Sequence, residues 1–355
     1  MGPQNEKRGW AYGVTKWYHG RKENVIMALP VTYEDVLAAL PRVHEILPPT
    51  PLIRWPGLSE LLGCSFYLKH ENHQPVGAFK VRGGVNLVET LTDAEREAGI
   101  VGVSSGNHGQ SLAYAALRRN LRCTIVVPEN NNPDKLRAMR LLGAQLIEYG
   151  RDFDEAKQYV EQLVAERGGC YIHSANEPRL IAGVGTMAWE VFESLPDPDV
   201  ILVPIGLGSG VCGTCLVAKQ RRPQTEVVGV QATGAAAVAE SWRSGQMVTH
   251  DHVDTFAEGI STRAPAEMTM AIMRALMDDV ILVSDEELRH GIYRILENTH
   301  NLAEGAGAAA FAAAYKHRDR FLGKKVVGIL SGGNLDLAEL PAVLEEGKRF
   351  GQQHP

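Results

Sequence analysis

Lys80 lies in the run PVGAFKVRGG, residues 75–84. An amine beside Phe79, bounded by Gly77, Gly83 and Gly84, loses part of its hydration, which disfavours its charged form. A lysine that acts as a nucleophile needs that change. Taken alone, the run also fits a surface lysine at the start of a helix. Three glycine-rich turns could supply partners for such a nucleophile. In PIGLGSGVCG, residues 204–213, the stretch Gly206, Leu207, Gly208, Ser209 and Gly210 can turn N–H groups toward one anion at a helix N-terminus. It is neither a Walker loop nor a dinucleotide fingerprint. In SSGNHGQS, residues 104–111, Ser105, Gly106, Asn107 and His108 can offer N–H groups and a hydroxyl to a carboxylate. In SGGN, residues 331–334, the Ser331 hydroxyl can meet a ligand ring or start a turn.

Positioning these turns requires regular elements, and the pattern supplies them. Thr32 can cap a helix beginning YEDVLAAL, with Glu34 and Asp35 in its first turn, and Pro48, Pro49 and Pro51 end it. From residue 66 onward, short Val/Ile-rich runs alternate with helical stretches. FYLKHE, IVGVSS, CTIVVPE, AQLIEYG, VILVPIG, TEVVGVQA and KVVGILSGGN read as strands. Between them VRGGVNLVETL, GQSLAYAALRR, PDKLRAMRLLG, FDEAKQYVEQLVAERGG, GTMAWEVFESL and VCGTCLVAKQRR read as helices. Ser284 with Glu287 forms a capping box ahead of another, and GAGAAAFAAAYKH is alanine-rich helix. Such alternation builds parallel sheets, whose ligands gather at the carboxyl ends of strands. All three glycine-rich turns lie at strand ends.

The bulk properties agree. The chain has 355 residues, 45% of them hydrophobic and 22% charged, which is globular and long enough for two domains. A net charge of −6 gives no basic field, which disfavours nucleic acid as a partner. Five cysteines, an odd number set mostly in apolar runs, suit reduced thiols and a cytoplasmic location. No apolar run reaches membrane-span length. Residues 1–29 carry an excess of Lys and Arg without clear period; they read as a disordered extension, or as sequence upstream of a start at Met27. Cys212-Gly-Thr-Cys215 has redox-like spacing but lacks the surrounding context, so buried packing is expected. His70-x-x-His73 and His250-Asp-His252 lack a second ligand pair for zinc.

Together PVGAFKVRGG, SSGNHGQS, PIGLGSG, FAEGI (256–260), NLAEGAGAAA (301–310) and SGGN resemble, in order and spacing, the fold-type II pyridoxal-phosphate enzymes. Among these, the chain is similar to the serine/threonine dehydratase and serine racemase family, from about Pro48 to about Leu337. The resemblance implies an α/β fold like that of tryptophan synthase β, with two open, twisted, parallel-rich sheets flanked by helices. It implies a small mobile domain over 99–174, a large cofactor domain from 30–98 and 175–355, and a homodimer. It implies that Lys80 forms the Schiff base with pyridoxal 5'-phosphate and later takes the substrate Cα proton. Phe79 would pack on the ring, Asn107 would bond its 3-oxygen, and Gly206, Leu207, Gly208, Ser209 and Gly210 would hold the phosphate. Ser331 would face the pyridine nitrogen, and Glu304 and Gly259 would line the ring. Ser105, Gly106, Asn107 and His108 would hold the substrate carboxylate.

The activity so implied is dehydration: a β-hydroxy-α-amino acid of the threonine or serine type becomes a 2-oxo acid and ammonia. Alternatives are racemisation, with Ser105 exchanging a proton on the face opposite Lys80, and dehydration of 3-phenylserine or 3-hydroxyaspartate. The sequence departs from the family pattern at Leu207, Ala78 and Gly305. Where some relatives hold a divalent cation through carboxylates, the corresponding positions are Gln231 and Ala237, so no metal is expected there.

Overall fold

The computed structural model describes residues 11–18, 21–129, 131–151 and 153–353. In chain order its strands are β1 (Ala11–Tyr18), β2 (Arg21–Ala28), β3 (Leu52–Arg54), β4 (Ser65–His70), β5 (Ile100–Val103), β6 (Cys123–Val127), β7 (Gln145–Glu148), β8 (Cys170–Ile172), β9 (Val200–Pro204), β10 (Glu226–Ala232), β11 (Asp279–Val283) and β12 (Lys325–Leu330). The helices are α1 (Tyr33–Ile46), α2 (Pro56–Leu62), α3 (Lys80–Glu89), α4 (Asp93–Ala98), α5 (Asn107–Arg118), α6 (Pro133–Leu141), α7 (Phe153–Arg167), α8 (Pro178–Ser194), α9 (Ser209–Arg221), α10 (Ala237–Ser244), α11 (Glu267–Leu276), α12 (Asp285–Thr299), α13 (Gly305–Lys316), α14 (Arg318–Phe321) and α15 (Leu340–Gln353).

Two main sheets result. One has six strands in the order β11-β10-β9-β12-β4-β3, parallel except for β3. The other has four parallel strands, β7-β6-β5-β8. Strands β5, β9 and β12 are nearly continuous apolar runs because both faces are covered. Val200 and Leu202 of β9 join one core with Phe66, Leu68 and Val326, whereas Ile201 and Val203 join a second with Val327 and Ile329. Behind the first face lies α13, apolar all round and buried from Gly305 to Tyr315, as a helix of that composition must be.

Helix α3 sits between the two sheets. Its Val81, Val85, Leu87 and Val88 share a core with Leu112, Ile125 and Met139 of the four-stranded lobe. On the other side its backbone meets α8, where a Cβ at Gly83 would lie 2.9 Å from the Leu180 carbonyl oxygen. Of the extension over 1–29, the described strands β1 and β2 pair antiparallel, in register from Ala11↔Ala28 to Tyr18↔Arg21. The rest of that expectation, at 1–10 and 19–20, falls outside the described residues.

Candidate active site

The carboxyl ends of β4, β5, β9 and β12 lead into the segments that surround one cavity of about 610 Å³. From β4 the chain passes a short 3-10 turn, Glu71–His73, and then Gly77, whose φ of +67° places it in the left-handed region that glycine tolerates. Ala78 bridges Gly332, and the Phe79 N–H donates to the Ser331 carbonyl at 3.0 Å. Ser111 Oγ donates to the Lys80 carbonyl at 2.7 Å. The backbone of Lys80 is thus held from two elements before its side chain begins. Its Nζ donates to Ser209 Oγ at 2.8 Å. Burial alone lowers its pKa to about 8, which raises the share of free amine near neutrality.

The turn between β9 and α9 carries that serine. Gly208 has φ of +100°, and a Cβ at Gly206 would strike the Gly259 carbonyl. At Gly210 a Cβ would sit 3.2 Å from the Phe79 ring. Leu207 stands outside the left-handed region, so a side chain costs nothing there, and its carbonyl accepts from Thr269 Oγ1 at 2.6 Å. The Leu207 variant of the glycine loop therefore keeps its backbone shape. Both cysteines of the CxxC spacing are buried in α9, and burial pushes the Cys215 thiol above the usual range.

The loop after β5 opens α5. The Gly106 N–H donates to Ser104 Oγ at 3.1 Å, and no atom lies within 4 Å of a Cβ placed on Gly106, which leaves room for a ligand. Asn107 donates from Nδ2 to Glu304 Oε1 at 2.8 Å and accepts from Asn334 Nδ2 at 2.7 Å. His108 is buried, and burial together with the Lys80 charge lowers its pKa to about 3, so the ring is neutral at pH 7. Glu304 stands at the N-terminal end of α13, where its carboxyl faces the cavity without capping the helix. Burial raises its pKa to about 7, against the opposing pull of Lys135 and Asn107. A Cβ at Gly259 would meet the Ala306 Cβ at 2.8 Å, and Ser331 closes the wall from the end of β12.

Every residue that the resemblance assigns to cofactor or substrate lines this cavity: Phe79, Lys80, Ser105, Gly106, Asn107, His108, Gly206 to Gly210, Gly259, Glu304 and Ser331. Sequence reasoning missed Lys135, Glu258, Arg263 and Asn334. Asn334 stood inside the SGGN turn and was within reach of that reading. Glu258 lay inside FAEGI without being given a role, and its partner Lys135, 2.6 Å away, is far from it in the chain and carries no local signal. Gln231 is buried and accepts the Ala239 N–H through Oε1 at 2.9 Å. Among the described residues no group of three or more His, Cys, Asp or Glu side chains gathers as a metal set.

These residues fit pyridoxal phosphate. A partly neutral amine points at a glycine-lined anion cradle on a helix N-terminus, where a Cβ at Gly206 or Gly210 would intrude. Phe79 offers an apolar face beside it, and Ser331 a hydroxyl without charge.

Comparison with known proteins gives the same direction. The family model described as pyridoxal-phosphate dependent enzyme matches residues 43–332. An L-threonine ammonia-lyase of Thermotoga maritima is 35% identical over 89% of this chain and 79% of its own. The L-threo-3-hydroxyaspartate ammonia-lyase of Saccharomyces cerevisiae is 38% identical over 90% of this chain and 98% of its own. The solved structure of maize serine racemase superposes with a TM-score of 0.83 at 29% identity, over 88% of this chain and 98% of that one.

Proposed function

The chain belongs to the pyridoxal-phosphate dependent enzymes, and from that premise we propose that it is an ammonia-lyase for β-hydroxy-α-amino acids of the threonine or serine type. The observation that carries the reading is the 2.8 Å contact of Lys80 Nζ with Ser209, in a cavity that also presents the Ser105–His108 loop and Ser331. The overall change balances without an oxidant. The β-hydroxyl leaves as water, one water is taken up, and a 2-oxo acid and ammonia are released.

When bound, the cofactor supplies an electron sink for the pair left on Cα once its proton departs. Lys80 would carry the cofactor, and its free amine would take that proton at Nζ. Backbone N–H groups at the start of α5 hold the substrate carboxylate, helped by the helix dipole. Gly206 to Gly210 hold the phosphate at the start of α9. Ser331 would offer the cofactor ring an uncharged hydroxyl, which suits prompt elimination. Neutral His108 adds no positive charge to compete for the carboxylate.

The domain division follows the same reading: residues 99–174 form a mobile lobe that closes on the substrate carboxylate against 30–98 and 175–355. A cytoplasmic homodimer completes it: five cysteines without a disulfide suit a reducing compartment, and the dimer rests on the family resemblance alone.

The test is a panel of threonine, serine, 3-phenylserine and 3-hydroxyaspartate, scored for 2-oxo acid and ammonia. Threonine or serine is expected to give the highest kcat/KM, and Lys80→Ala to lose both turnover and the visible absorption of the bound cofactor. Turnover that survives Lys80→Ala would sink the proposal. The yeast relative's name keeps the acidic substrate in the panel. Racemisation is the second reading, favoured by Ser105 lining the same cavity as Lys80. D-serine formation that disappears in Ser105→Ala, with 2-oxo acid formation retained, would establish it.

A further inference from the structure

Behind the Lys80 helix lies a charge cluster that the reaction does not touch. Lys69 and Glu71 at the end of β4, Arg82 in α3 and Glu190 in α8 are all buried. Arg82 donates Nε to Glu71 Oε2 at 2.7 Å and Nη2 to Glu71 Oε1 at 2.9 Å. The same guanidinium donates Nη1 to Glu190 Oε1 at 2.6 Å and Nη2 to Glu190 Oε2 at 2.8 Å. Lys69 Nζ donates to Glu190 Oε2 at 2.5 Å and to the Thr50 carbonyl at 2.6 Å. Thr50 returns its hydroxyl to Glu71 Oε1 and its N–H to Glu190 Oε2. Two cations therefore face two carboxylates, with His44 Nε2 at the edge, 2.9 Å from Glu190 Oε1. Burial opposes charge on Glu190, but Arg82 and Lys69 outweigh it and lower its pKa to about 2.

A buried ion cluster is a poor device for stability alone, because well-packed apolar side chains often do as well. Its placement indicates another use. Arg82 follows Lys80 by two residues, so it leaves α3 about 200° round the axis, away from the cavity. The front of this turn is held by the contacts of Phe79 with Ser331 and of Lys80 with Ser111. The back is held by Arg82.

We propose that Lys69, Glu71, Arg82 and Glu190 act as a charge-balanced clamp that positions Lys80 from behind, fixing the first turn of α3 while presenting no net charge to the lysine amine. The inference rests on Lys80 being the residue that carries the cofactor. Balance matters because, at an effective dielectric of about 20, an unmatched unit charge roughly 10 Å from an amine moves its titration by about one pH unit. The other elements face Lys80 with His108 from α5, Lys135 from α6 with its partner Glu258, and Glu304 ahead of α13. Asp251, His252 and Arg263 line the cavity before α11, and Asp336 and Glu339 line it after β12. These groups stay constant across the variants that test the clamp.

The experiment strips full-length protein of cofactor and follows covalent capture of pyridoxal phosphate across a pH series. Capture is read by visible absorption and by mass after borohydride reduction. Lys69→Met leaves one negative charge unmatched and is expected to raise the capture midpoint by about one pH unit. Glu190→Gln leaves one positive charge unmatched and is expected to lower it by a similar amount. The double variant restores neutrality and returns the midpoint to that of the parent. Arg82→Lys keeps the charge but loses the fork, so the midpoint stays while capture slows by roughly tenfold or more. Shifts of the same sign in the two single variants, or no shift, overturn the clamp. If a single variant does not fold, a displaced midpoint in the double variant or in Arg82→Lys overturns it. Lys80→Ala separates the two claims: retained covalent capture there refutes the cofactor assignment, whereas wrong signs with capture lost in Lys80→Ala refute the clamp alone.

Discussion

Glu304 is the side chain whose titration the site controls most directly. Its carboxyl is enclosed by Asn107, Gly332 and Gly259, and burial raises its pKa from 4.5 to about 7. A carboxyl whose folded pKa is raised binds its proton more tightly in the folded state. The stability this contributes is fully present below pH 4.5 and is lost as pH rises through about 7. The thermal midpoint of cofactor-free protein is therefore expected to fall by a few degrees across that window. Glu304→Gln, neutral at every pH, should flatten that part of the curve. An unchanged slope in the variant would show that another group causes it. Residues of this kind were legible where they lay within short contiguous motifs, as Lys80, Asn107 and Ser331 did. Their pairing was not, since Asn107 and Glu304 meet only through the fold.

At the scale of elements, the lysine helix depends on close backbone approach. A Cβ at Gly183 of α8 would lie 2.5 Å from the Arg82 carbonyl oxygen and 2.8 Å from the Gly83 Cα. Both obstacles are backbone, so α8 and α3 would have to separate. Gly183→Ala is expected to cost about 1–3 kcal/mol, read as a lower denaturation midpoint, and to slow cofactor capture because α3 carries Lys80. Normal stability in this variant would mean that the helices have room the packing does not show. The strands were legible because burial on both faces leaves Val/Ile runs that little else produces. Helix α8 was read only from Gly185 onward, although it begins at Pro178. In its first two turns, PRLIAGV, the residues from Leu180 to Val184 are all buried and show no helical period. Strand β8 has three residues, too few for an alternation to show.

Across the whole molecule, the two lobes touch at the mouth of the cavity through side chains that no local pattern could reveal. Lys135 of α6 reaches Glu258 at 2.6 Å, and Asn132 Nδ2 donates to Asp336 Oδ2 at 2.8 Å. The Met268 N–H donates to Asn176 Oδ1 at 3.2 Å. The first two contacts join the flank of the four-stranded sheet to segments of the six-stranded lobe, and under the proposed closure of residues 99–174 they would favour the closed cleft; Asn176 lies beyond that segment and Met268 in α11. The strength of the ion pair is bounded by exposure: the Glu258 side chain is 52% exposed, which puts the pair in the range of roughly 0–1 kcal/mol. Glu258→Gln should accordingly raise KM by no more than about fivefold and leave kcat within about twofold. Screening sharpens the test, since salt weakens an exposed pair but not a neutral hydrogen bond. The KM difference between parent and variant should shrink as ionic strength rises. If kcat falls while KM stays fixed at every salt concentration, Glu258 serves the reacting groups and not the closure of the cleft.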